Sequence, residues 1–294
     1  MKPQNPMTLA LKFSASVLLA PALAGSLLAG PVNFIFLSKN IEFEQTSATK
    51  VSTIPSKWRP YGFSAEVDGE DRASIARLSP KPTIKLPPNA KFSKIYNGQK
   101  PSLGLGADDD DGWNFGVVGD KDGFENWSTR TRSELNSAFP NGNYIFTVQG
   151  KTINLSLPRD AYPTAPKMVL SGGRWVKGAY RIKTNQVLTI NSGTYTSYGT
   201  HLNDYLGLDM ENDTTGDDVF EQGQVAKKLA GGPPVAKGKS IIRKVPANTL
   251  QAGTTYYIYA TYNAIVSQSS ALPGATAIGS YEVSTEIKVV AERP

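Results

Sequence analysis

The sequence predicts an all-β protein built as two β-sandwich domains behind a signal peptide, and three observations carry that expectation. The first is Leu250–Tyr262, LQAGTTYYIYATY. Leu250, Gly253 and Tyr256 follow one another at three-residue spacing, and Tyr256, Ile258, Ala260 and Tyr262 then share one parity, so a strand would turn them to one face. A tyrosine just inside a strand that follows a sharp corner bonds its hydroxyl back to the corner backbone, the tyrosine-corner arrangement of sandwiches. The second observation is a copy in the first half, Phe139-Pro140-Asn141-Gly142-Asn143-Tyr144, with Phe146 and Val148 continuing the alternation. The third is composition: 27 Gly and 20 Pro against a hydrophobic share of 39% imply many turns between short strands.

The totals exclude several classes. There is no cysteine, hence no disulfide framework, no thiol nucleophile and no thiolate metal site. The formal charge is +6, and the basic residues form no stripe, RNP or helix-turn-helix pattern, so nucleic acid is not the expected partner.

Residues 1–38 read as a targeting segment. Lys2 and Lys12 are its only charges, Phe13–Ala20 is apolar, Pro21 breaks the run, and Ala22-Leu23-Ala24 suits cleavage after Ala24. That leaves 25–38 as an apolar start to the mature chain. An uncleaved anchor is the rival reading, although Pro21, Gly25, Gly30 and Pro31 make a poor spanning helix.

The first domain is placed at 39–157. Phe63, Ala65 and Val67 alternate ahead of Asp68-Gly69, with Ala76 and Leu78 beyond it as the return of a hairpin. Prolines flank Thr83–Leu86 as they do on edge strands. Trp113, Phe115 and Val117 alternate within an acidic loop region. Ser128–Ser137 reads as a helical turn, with no capping box assigned at Ser133. Tyr144–Val148 and Thr152–Leu157 form a hairpin through Gln149-Gly150-Lys151.

Pro158–Pro166 reads as a stiff linker, and 167–291 as the second domain. Its strands are Lys167–Leu170, Gly178–Ile182, Gln186–Asn191, Lys239–Val245, Tyr256–Tyr262 and Glu282–Val290, with Trp175 as the aromatic anchor. Residues 193–238 read as an irregular acidic loop, carrying seven acids and no Lys or Arg from Asp204 to Glu221.

The PTAP segment, Trp175, the corner from Leu250 to Tyr256 and a final strand at Glu282–Val290 together resemble a fibronectin type III or immunoglobulin-like domain over roughly 163–291. The first half is similar only through its last hairpin, and a jelly-roll is the alternative there. The resemblance implies a scaffold rather than a chemistry.

Three site readings follow. Trp113, Trp127, Tyr195, Tyr198 and Tyr205 lie near acids and amides, the composition of a sugar-stacking face; the competing reading makes them core and strand-end cover. Asp209, Glu211, Asp213, Asp217 and Asp218 are oxygen donors of the kind calcium takes, although no EF-hand loop is matched; solvated acids are the competing reading. Tyr144, Trp175, Gly253 and Tyr256 are structural. The lone His201 has no metal or nucleophile context, so no catalytic residue is assigned. The expectation is an exported, non-enzymatic structural, adhesive or binding protein, engaging polysaccharide or other surface proteins and able to self-associate. A carbohydrate-binding module is the alternative, with a paired-carboxylate hydrolase third and a filament or surface-layer subunit a further reading.

Overall fold

The computed structural model describes residues 30–96, 98–105, 112–116, 127–197, 200–201, 204–225 and 240–294. The first half supplies β1 (Val32–Gln45), β2 (Val51–Thr53), β3 (Tyr61–Gly69), β4 (Thr83–Lys85), β5 (Ser102–Leu105), β6 (Gly112–Gly116), β7 (Trp127–Thr129), β8 (Gly142–Val148) and β9 (Lys151–Leu157). Short helices α1 (Arg72–Ala76), α2 (Phe92–Ile95) and α3 (Arg132–Ala138) lie among them. The second half supplies β10 (Val169–Ser171), β11 (Arg174–Val176), β12 (Ala179–Lys183), β13 (Leu188–Asn191), β14 (Tyr205–Asn212), β15 (Asp218–Val225), β16 (Ile242–Val245), β17 (Thr255–Ser269) and β18 (Thr276–Glu292). The protein is all-β, as its alternating patterns predict.

The halves share one sheet. Its main path runs β15-β14-β17-β18-β1-β3-β6-β5, and β2, β7, β11 and β12 complete its twelve strands. β1 lies between β18, which it pairs in parallel, and β3, which it pairs antiparallel. Gln45 at the end of β1 adds a side-chain link, accepting from Met168 N at 2.8 Å and donating to Met168 O at 2.9 Å. Two small sheets, β4-β8-β9 and β10-β13-β16, stand apart from this one.

Alternation places both hydrophobic cores on one face of the large sheet. Along β1, Ile35 and Leu37 enter a first core with Phe63, Phe139, Phe146, Ile153 and Leu155, while Ile41 enters a second. Along β18, Ala277 and Tyr281 join the first core; Val283, Ile287 and Val289 join the second, with Leu208, Ile258, Leu188 and Ile190. The small sheets therefore contribute the opposing layer, one over each core. β17 and β18 are 15 and 17 residues long, far beyond the usual strand, because each spans more than one neighbour's packing zone.

Several expectations are corrected by this arrangement. Residues 32–38 are not a segment outside the fold, since they open the central strand β1; residues 1–29, with the cleavage reading, lie outside the described residues. Pro158–Pro166 does not bridge two separate sheets: Tyr162 packs on both cores and Asp160 pairs with Arg132 of α3 at 3.0 Å. After Asp68-Gly69 the chain enters α1 rather than a return strand, because Asp71 caps it by accepting from Ser74 N at 2.8 Å. The helical turn expected over 128–137 is α3, and its capping box is formed by Thr131 and Glu134 rather than at Ser133. The acidic stretch within 193–238 is also partly regular, as β14 and β15 form a hairpin across it. Trp175 is only half-buried and packs edge-on to Tyr180, which is the buried anchor.

Both tyrosine corners have their hydroxyl bond. Tyr144 donates to Pro140 O at 2.8 Å, and Tyr256 accepts from Gln251 N at 2.9 Å. Gly253 takes the left-handed φ of +86° that the second corner needs. Tyr144→Phe and Tyr256→Phe each keep the ring and remove one bond. Each is expected to lose about 1 kcal/mol in chemical denaturation, more at Tyr144, where a buried carbonyl is left without its donor.

Candidate functional site

The face of the large sheet turned away from the two cores is apolar at one end, where Phe34, Phe36, Ile265 and Ile278 cluster, and polar over the rest. Register places Glu221, Asp209, Tyr259, Glu286 and Glu44 in one row across β15, β14, β17, β18 and β1. The next row is Gly223, Gly207, Thr261, Ser284 and Glu42, and the one after it contains Tyr205, Asn263, Glu282 and Asn40. Adjacent residues in a row sit about 5 Å apart across the strands. A fourth row holds Asp218, Glu211, Tyr257 and Lys288, so eight carboxylates lie in these rows, and Lys288 is the only cation in them among the described residues.

Burial shifts these acids. Glu42 is pushed up to about 7, by its burial first and then by Glu286 and Glu282. Glu286 is raised to about 7 by burial, then by Glu44, Glu211 and Asp213. Burial also raises Glu282 to about 7, against the bond it accepts from Asn263 Nδ2 at 3.1 Å. Asp209 is held well above the usual carboxylate range by burial and by Glu211, Asp218 and Glu221. The neighbouring Tyr259 hydroxyl is raised as well, chiefly by burial and then by Glu211 and Glu286.

Among the described residues, two almost fully buried side chains beside these acids have oxygens without a partner. Thr261 Oγ1 and Asn263 Oδ1 carry no hydrogen bond, at exposures of 1% and 2%. Small neighbours produce this geometry. Gly207 and Gly223 leave room for the Tyr205 ring to lie flat along the sheet: a Cβ on Gly223 would sit 2.4 Å from its hydroxyl oxygen. Asn40 lies over Gly62 in the same way.

The residues anticipated from sequence distribute unevenly over the molecule. Trp113 is in the first core, donating its indole N–H to Ile75 O at 3.0 Å. Tyr195 is buried and stacks on Tyr262 with ring centroids 4.7 Å apart. Tyr205 is buried beneath the polar face. These three rings are packing, not an open stacking platform. Tyr198 and the side chain of Trp127 lie outside the described residues. Of the calcium set, Asp209 and Glu211 lie on the sheet face, Asp213 and Asp217 are exposed on the β14–β15 turn, and Asp218 begins the return strand. Asn212 Oδ1 organises that turn by accepting from Thr214 N at 2.9 Å. Among the described residues no three His, Cys, Asp or Glu side chains are placed to hold a metal ion. Asp204 anchors a loop, accepting from His201 N and Ile265 N, each at 3.0 Å.

Sequence reasoning missed Glu42, Glu44, Glu282, Glu286, Thr261 and Asn263. The available signal was acids at the outward parity of β1 and β18, in Glu42-x-Glu44 and in Glu282 with Glu286. No protein-family model matches the chain, and no curated protein matches it at a significant level. Its class is therefore defined by the fold alone: a two-layer, sandwich-like all-β protein with one polar, acid-lined sheet face.

Proposed function

We propose that this is an exported, non-enzymatic β protein with a structural or binding role at the cell surface, and that the acid-lined sheet face takes a cationic, donor-rich partner. The observation that carries the reading is the crowding of eight carboxylates beside the unsatisfied Thr261 and Asn263 oxygens. Oxygen acceptors that lack donors, among acids that repel one another, are complementary to ammonium groups rather than to anions. Export rests on the Lys2–Ala24 leader pattern.

Affinity electrophoresis at pH 8 tests the reading with diethylaminoethyl-dextran in the gel and unmodified dextran as the control. The chain as a whole carries a formal charge of +6, so generic electrostatics oppose a polycation and retention must come from a local face. Retardation by the cationic polymer is expected, lost in the double variant Asp209→Asn, Glu286→Gln and weakened by added salt. Equal retardation by plain dextran would favour a carbohydrate-binding module instead. Free migration in both gels would end the proposal.

A further inference from the structure

Lys39 has no use in the polar face. Its side chain points the other way, into the seam between the two cores, and is fully buried at 0% exposure. On the flanking strands its register partners are Phe63 of β3 and Tyr281 of β18. Phe63 is stacked on Phe139 at 3.9 Å, and Tyr281 is packed against Tyr162 at 4.7 Å. In this aromatic enclosure Lys39 Nζ lies 3.1 Å from Asn136 Oδ1 and 3.1 Å from Asn141 Oδ1. The Asn136 carboxamide is held from its other end, where Nδ2 donates to Asp160 Oδ2 at 2.8 Å. Arg132 fixes that carboxylate by a 3.0 Å ion pair.

An amine, a carboxamide and a carboxylate held together beside a dry core form a reactive set. From this geometry we infer that Lys39 and Asn136 become joined by an intramolecular amide bond, formed by the folded protein itself. Lys39 Nζ, as the neutral amine, attacks Asn136 Cγ and forms the new C–N bond. The proton it sheds passes to the Asp160 carboxylate, which delivers it to Nδ2. The Cγ–Nδ2 bond then breaks and ammonia leaves. Amine plus carboxamide gives amide plus ammonia, so the step needs no oxidant, cofactor or external acyl donor. Burial supplies the neutral amine: it lowers Lys39 to about 8, with Asp160 opposing the shift and Arg132 adding to it. The fold supplies proximity, which replaces an encounter in solution. Both carboxamides hydrogen-bond the Asp160 carboxylate, and Asn136 is the acceptor rather than Asn141 because it is the less exposed of the two, whereas Asn141 is open to water. Such a bond would tie the central strand to α3 in a chain that has no cysteine for a disulfide.

Peptide mapping of the full chain by tandem mass spectrometry, after folding at pH 8 and then denaturation, tests this directly. The expected result is a branched peptide containing both Lys39 and Asn136, lighter by one ammonia than the sum of its two arms. It should be absent from Asn136→Ala and from Lys39→Arg. Recovery of the two peptides separate and unmodified would overturn the inference. So would an ammonia loss that persists in Lys39→Arg, since that would be ring closure at an Asn-Gly pair such as Asn141-Gly142 rather than a cross-link. If either variant fails to fold, the wild-type map still decides.

Discussion

Raising the pH from 5 to 8 is expected to destabilise the folded protein by roughly 3–5 kcal/mol, the reverse of ordinary carboxylate behaviour. The cause is the polar sheet face. Glu42, Glu282 and Glu286 have an ordinary value of 4.5 and are each raised to about 7 in the fold, by burial first. Between those values the folded state holds protons that the unfolded chain has released, so stability falls as pH rises through the window and levels off above it. Taken alone, each group would contribute about 3 kcal/mol. Partial exposure and the sharing of protons among coupled acids reduce the sum well below three times that figure. Asp209 and Glu221 are shifted in the same direction and add to the slope. Asp71 and Asp160 are lowered instead, so their contributions are lost only at more acid pH, below the window. Lys39 is lowered to about 8 and acts mainly above it, where its preference for the neutral form favours the fold as pH rises. Urea unfolding at pH 5, 6, 7 and 8 measures the effect. The triple variant Glu42→Gln, Glu282→Gln, Glu286→Gln should flatten most of the slope and exceed the wild type in stability at pH 8. A wild-type stability that is level or rising from pH 5 to 8 would show that these acids ionise freely in the fold.

What was legible in the sequence is what local chemistry determines. Tyr144 and Tyr256 announce their corners because a glycine, a tyrosine and period-two alternation occur within a few residues of one another. Gln149-Gly150 announces its hairpin because both residues adopt positive φ, 51° and 72°, which suits a two-residue turn. Sheet membership is set by partners far away in sequence, and there the reading failed. Phe34–Leu37 is apolar on both parities, as a strand covered on both sides is, and that pattern equally fits a leader. Asp209 and Glu211 look like loop acids because a buried strand seldom carries them. Only the pairing of β14 with β17 places them against Tyr259 and Tyr257. The acid-lined face was illegible for the same reason, since its carboxylates come from β1, β14, β15 and β18 and no segment holds more than a pair in alternation.

Phe63→Ala is expected to cost roughly 3–5 kcal/mol, the range for deleting a fully buried aromatic side chain. Phe63 is at 0% exposure and lies at the centre of the first core. It makes a parallel stack on Phe139 at 3.9 Å, an edge contact with Phe115 at 5.1 Å and a further contact with Tyr144 at 5.6 Å. Its neighbours are held by strands on three sides and cannot collapse into the space, so the cavity persists and the cost falls toward the upper end. The larger question is how far the damage travels. If the halves were independent domains, the second core would unfold at its original midpoint. β1 and β18 instead carry side chains of both cores on one face: Leu37 with Ile41 on β1, and Tyr281 with Val283 on β18. Loss of the first core therefore removes β3 from one side of β1 and frees the strand that borders β18. A single cooperative transition is expected, shifted equally for both cores. Two single-tryptophan proteins report on them separately, one retaining Trp113 in the first core and the other Trp175 beside Tyr180 in the second. Phe63→Ala should lower both denaturation midpoints together. A shift confined to Trp113, with Trp175 unchanged, would mean that the shared sheet does not couple the halves and that each folds as its own domain.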